Sequence, residues 1–189
     1  MGDWLPPLDA DDLIDCEALP RLADRLASVS PDTAALAASP RFVDGSWTVH
    51  RITTQKLWRP RELEENWTSP FAFHPNCVLI NTASLRAVGG WPATGVNEDL
   101  ALMLWLNRAS TILAVPDPLI RYRVSDEQMT ASSWYPEAKR QAFSFISGCV
   151  NAERAERRLA PIQPPSSPGG GHARESASRS GQQQNPPSG

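Results

Sequence analysis

Apolar and polar positions along this chain follow two rhythms, and the rhythms assign its elements. Leu19, Leu22, Ala23 and Leu26 recur at the spacing of a helix face, with Pro20 tolerable only in the first turn. The run from Trp4 to Leu8 reads as a short buried strand, which Pro6 and Pro7 force to a sheet edge or an irregular end. In RFVDGSWTVHRI, two β-rich runs flank Asp44-Gly45, the signal of a hairpin. CVLIN, starting at Cys77, predicts a buried strand, and a short helix ending at Gly89-Gly90 follows it. Leu100 to Leu106 are apolar on every side, so a buried helix is expected from its cap, Asn97, to about Arg108. TILAVPD and LIRYRV predict two strands, and Trp134 to about Arg157 a closing helix. Strands and helices alternate without an internal repeat, so the fold class is α/β or α+β.

Composition changes this picture at one end. From Pro164 to Gly189, 16 of 26 residues are Pro, Gly or Ser, too few apolar groups to offset the entropy of ordering. The expected organisation is therefore one globular domain over residues 1–162 and a disordered tail over 163–189. The net charge of −3 is mild, and no Lys/Arg block marks a nucleic-acid surface. Cys16, Cys77 and Cys149 are odd in number and form no CxxC pair, which favours reduced thiols. No signal peptide opens the chain and no apolar run is long enough to span a bilayer, so the expected location is cytoplasmic, without a transmembrane segment. The sequon Asn66-Trp67-Thr68 is accordingly read as chance.

Two acidic stretches carry candidate chemistry. Adjacent carboxylates repel unless a cation or donors relieve them, so Asp9-Ala10-Asp11-Asp12 is either solvated, caps the following helix, or holds a cation. An EF-hand loop from Asp9 fails, because Leu13, Ile14 and Pro20 stand where an oxygen ligand, Gly and Glu are required. A phosphatase-type DxDx[TV] motif fails at Leu13 as well. What survives is a D-x-D at a strand end, a spacing that suits Mg²⁺ or Mn²⁺ on a diphosphate. The second stretch, NEDLALMLWL, puts Glu98 and Asp99 in the first turn of the buried helix. Acids there complement the helix dipole, and a buried helix should aim them into a cleft, where an ionised carboxylate serves as a base. His50 and His74 lack a ligand partner at short spacing and read as structural, with reach into a cleft the lesser alternative for His74. Trp47, Trp58, Trp67 and Trp105 read as core or interface, and Arg154, Arg157 and Arg158 as a solvated face.

LDADDLIDCEALPRLADRL, NTASLRAVGGWP, NEDLALMLWL and YRVSDEQMT, in that order, resemble family-2 glycosyltransferases of the GT-A fold, over residues 1 to about 132. The resemblance implies an α/β fold in which a mixed sheet is flanked by helices. It implies that Asp9 and Asp11 bind the divalent metal, with Asp9, Asp12, Arg123 and Gln128 toward the nucleotide diphosphate. Asp99 becomes the catalytic base with Glu98 beside it, and Gly89, Gly90 and Trp91 line the acceptor site. Ser125 departs from the histidine that many relatives carry at that place. The family's nucleotide-binding half normally precedes the D-x-D, so the chain is expected to be a partial GT-A domain lacking that half.

The implied activity is metal-dependent, inverting transfer of a sugar from a nucleotide-diphosphate sugar to an acceptor hydroxyl on a glycan or small molecule. The expected partners are that donor and acceptor, with a separate chain supplying the other half or self-association around Trp4 to Leu8. The competing reading is a catalytically silent domain that acts as a binding or interaction module.

Overall fold

The protein's structure, a computed structural model, describes residues 3–43, 48–49, 55–67, 73–74, 77–123 and 127–163, with the backbone alone at 41–43 and 48–49. The expected Asp44-Gly45 turn, Trp47, His50, Thr68, Ser125 and the tail from Pro164 lie outside the described residues.

Strands β1 (Trp4–Leu5), β2 (Leu13–Ile14), β3 (Thr33–Val43), β4 (Thr48–Val49), β5 (Lys56–Trp58), β6 (Val78–Asn81) and β7 (Thr111–Arg123) form one mixed sheet. Its main path runs β1-β6-β3-β7-β2, with β4 on β3 and β5 on β7. Among the described residues β3 and β7 alone pair in parallel, and the other pairs are antiparallel. The helices are α1 (Ala18–Ala27), α2 (Glu62–Glu65), α3 (Thr82–Ala87), α4 (Glu98–Asn107) and α5 (Tyr135–Glu156). The fold class is thus α/β with a mixed sheet.

Both faces of the sheet are covered. Ala35 and Ala37 of β3, Val78 and Ile80 of β6, and Ile112 and Ala114 of β7 join a core with α4 and with Phe143, Ile146 and Val150 of α5. The alternate residues Leu36, Ala38, Leu79 and Val115 join a second core with Ala18 and Leu22 of α1. A period of two puts these sets on opposite faces, so the sheet is the middle layer. Trp58 and Trp67 are core residues as expected, and Trp67 meets Phe143 edge-on with centroids 5.7 Å apart.

Several expectations are corrected by packing. The segment at Trp4 is an edge strand of two residues, half-buried to exposed, because the prolines end its pairing. In α1 the buried stripe is Ala18 and Leu22 with Leu26 against it, while Leu19 and Ala23 face outward. TAALAASP, alanine-rich and given no element by its pattern, is the buried front of central strand β3, where small side chains let helices approach from both faces. The two strands expected over 111–124 are one. Pro116 is carried where the register slips from Ala37↔Ala114 to Ser39↔Pro118, which leaves two extra residues on β7. Arg154 is 6% exposed, not on a solvated face, and its Nη1 lies 2.9 Å from Oε1 of the buried Glu64. Arg61 reaches the same oxygen at 2.7 Å, while Glu153 takes Arg61 at 2.6 Å and Arg108 at 2.8 Å. This network ties α2 and the end of α4 to α5. No helix among the described residues is long and apolar enough to cross a membrane.

Candidate active site

The D-x-D lies beyond the strand end, in the link from β1 to β2. The Asp12 N–H donates to the Asp9 carbonyl at 3.1 Å, closing a turn, and β2 then pairs Leu13 with Arg121 and Ile14 with Ile120. This pairing sets the turn beside the last residue of β7. There the Arg123 N–H donates to Asp12 Oδ1 at 2.9 Å, across 111 residues of sequence. Asp9 and Asp11 are exposed, whereas Asp12 is 4% exposed and its Oδ2 is buried with no hydrogen-bond partner. Burial pushes the Asp12 carboxyl up to about 6; the Arg123 N–H opposes the rise, and the Asp11 and Asp9 charges add to it.

The acids of α4 approach from another part of the chain. Asn97 takes a left-handed conformation (φ 55°), makes no side-chain cap, and leaves Nδ2 buried without a partner, against expectation. Asp99 itself satisfies an N-terminal amide: its Oδ1 accepts the Leu100 N–H at 2.6 Å. Burial pushes Asp99 up to about 6, the Leu100 bond opposing, with the charges of Glu98 and then Asp9 adding to the rise. The helix N-terminus alone predicts the opposite direction, and here desolvation outweighs it.

The charge of Asp9, about ninety residues away in sequence, thus reaches Asp99. Two tyrosines that the sequence did not single out join the same cluster. Tyr122 is pushed up to about 12 by burial and then by Asp12, Asp9 and Asp11. Tyr135 is raised by burial and then by Asp99 and Glu98. The His74 ring lies 4.9 Å from that of Tyr122, which brings this histidine to the cluster's edge. The only signal for Tyr122 was its place before Arg123; Tyr135 had none.

The remaining expected residues divide. Arg123 is exposed at the end of β7, close enough for its charge to act on Asp12, and the Gln128 side chain donates to the Arg123 carbonyl. Gly89 and Gly90 are both left-handed (φ 87° and 88°), and their N–H groups close the end of α3 on Arg86 and Leu85. Trp91 follows with 40% of its surface exposed. The described bonds of this turn go to α3, not to the carboxylates.

Among the described residues no group of three or more His, Cys, Asp or Glu side chains is placed to hold a metal ion. The donor set is all carboxylate oxygen, with Asp9 and Asp11 open to solvent. Such a set fits a hard cation held by one or two carboxylates and completed by phosphate oxygens and water. Comparison with known protein families finds none that matches this chain, and no curated protein matches it.

Proposed function

We propose that the chain is a metal-dependent glycosyltransferase of family-2, GT-A type, which moves a sugar from a nucleotide-diphosphate sugar to an acceptor hydroxyl. One observation supports the reading: the Asp9 charge of the 9–12 turn acts on Asp99 at the start of α4, so the two acidic stretches of the sequence meet in space. A turn between two strands that presents open carboxylates, with a half-buried base of separate origin, is what inverting transfer needs.

In this reading Asp9 and Asp11 hold Mg²⁺ or Mn²⁺, which, when bound, offsets charge on the leaving diphosphate. Asp99, ionised above about pH 6, accepts the proton of the acceptor hydroxyl as that oxygen attacks the anomeric carbon. Glu98 keeps the local potential negative, and the Arg123 guanidinium faces the diphosphate. Trp91, exposed after a glycine turn, offers a flat apolar face to the acceptor.

The test combines metal binding with turnover. Water-proton relaxation with Mn²⁺ should show a site that Asp9→Asn/Asp11→Asn removes and Asp99→Asn keeps. Asp99→Asn should lower transfer from a panel of labelled nucleotide sugars by about 10²–10⁴-fold, the usual contribution of a positioned base. Mn²⁺ binding indifferent to the double substitution, or unimpaired transfer by Asp99→Asn, would leave the interaction-module reading in its place.

A further inference from the structure

Asp12 stands apart from its neighbours. It is 4% exposed, its Oδ1 holds the Arg123 N–H at 2.9 Å, and its Oδ2 is enclosed by the protein. A carboxylate so placed is a poor ligand for a cation on Asp9 and Asp11, since one oxygen holds the Arg123 N–H and the other is enclosed. It is also expensive, because a buried charge with one hydrogen bond is under-compensated.

The other side of Arg123 is held as well. Its carbonyl accepts the Gln128 side-chain amide, so the residue is gripped at its N–H and its C=O while its side chain remains exposed. Arg123 ends β7, and β2 lies beside it through Leu13↔Arg121. On its other edge Arg123 pairs with Val43 of β3, so the sheet holds it from one side. On the β2 side the ladder is described as far as Leu13↔Arg121, and the Asp12 bond carries the contact on to Arg123.

We infer that Asp12 and Gln128 are positioning residues that clamp the Arg123 backbone and so mount its guanidinium at the edge of the 9–12 turn. The guanidinium is the group that meets the substrate's anionic diphosphate; that part rests on the proposed function. Asp12 and Gln128 then act through Arg123 and do not touch substrate themselves. A mounted guanidinium loses less freedom on binding than a mobile one, so the clamp adds affinity without adding a contact.

Asparagine keeps the acceptor of Asp12 and removes its charge, whereas alanine removes both. Amide hydrogen exchange should therefore show the Arg123 N–H at least about tenfold faster in Asp12→Ala than in wild type or Asp12→Asn, with the Leu104 amide of α4 unchanged as a control for folding. Equal Arg123 exchange in wild type and Asp12→Ala would overturn the clamp, whatever the protein binds. Calorimetry with UDP or GDP plus Mn²⁺ reads the consequence. Asp12→Ala, Gln128→Ala and Arg123→Ala should each weaken binding, Asp12→Asn should stay near wild type, and Asp12→Ala/Arg123→Ala should lose no more than Arg123→Ala alone. Additive losses, or Asp12→Asn as weak as Asp12→Ala, would show that Asp12 meets the ligand directly and refute the positioning role. If wild type binds neither diphosphate, the proposed function fails for these nucleotides, and the exchange measurement alone decides the clamp.

Discussion

Replacing Asp99 with asparagine should stabilise the protein at neutral pH and leave it little changed in acid. The side chain keeps its size, and Asn Oδ1 still accepts the Leu100 N–H that Asp99 accepts at 2.6 Å. What disappears is a charge in a desolvated place beside Glu98 and Asp9. Burial carries the carboxyl from 3.8 to about 6. At about 1.4 kcal/mol per tenfold change in proton affinity, that is about 3 kcal/mol. The sign follows from proton binding. Between pH 4 and 6 the native state keeps a proton that the unfolded chain has released, so stability falls as pH rises through this window and stays lower above it. Relaxation and the half-buried setting reduce the figure, so Asp99→Asn should gain about 1–3 kcal/mol at pH 7.5 and less than about 1 kcal/mol at pH 4. Urea unfolding of both proteins at pH 4, 5, 6 and 7.5 measures the difference directly, because groups common to both cancel. A gain that does not change with pH, or a loss at pH 7.5, would refute the desolvated carboxylate. A stability gain joined to lost transfer would place Asp99 among residues whose strain serves chemistry.

The same ionisation sets the rate in the proposed reaction. Transfer should rise with pH through about 6, as Asp99 loses its proton, and a pH–rate profile without that limb would exclude it as the base. Glu64→Ala should cost about 3–5 kcal/mol in urea unfolding, since Arg154 and Arg61 lose their buried partner. Glu64→Leu/Arg154→Met should cost clearly less, and equal costs would mean the ion pair is not what burial makes it. Burial pushes the Cys77 thiol up to about 12, so at pH 8 a thiol reagent should label exposed Cys16 and leave Cys77 unmodified until unfolding. Early labelling of Cys77 would show that the second core opens locally.

Local patterns in the sequence determined what local physics controls. The apolar run of α4, the VLIN strand with its following glycine turn, the closing helix and the pairing of β3 with β4 could all be read from spacing and turn residues. Each depends on residues a few positions apart. The front of β3 could not be read this way, because TAALAASP has the composition of a helix and becomes a strand only between β6 and β7. TILAVPD and LIRYRV read as two strands, and only the ladder with β3 shows that they are one, with a register slip at Pro116. The acidic residues were visible as two separate stretches, and only the family resemblance, not their pattern, implied their union. Whether Asp9 feels Asp99, whether Asp12 is buried, and which amide it holds depend on the path of the chain through the sheet. Charge proximity and desolvation are properties of three-dimensional surroundings, so the chemistry of these carboxyls was decided by the tertiary fold.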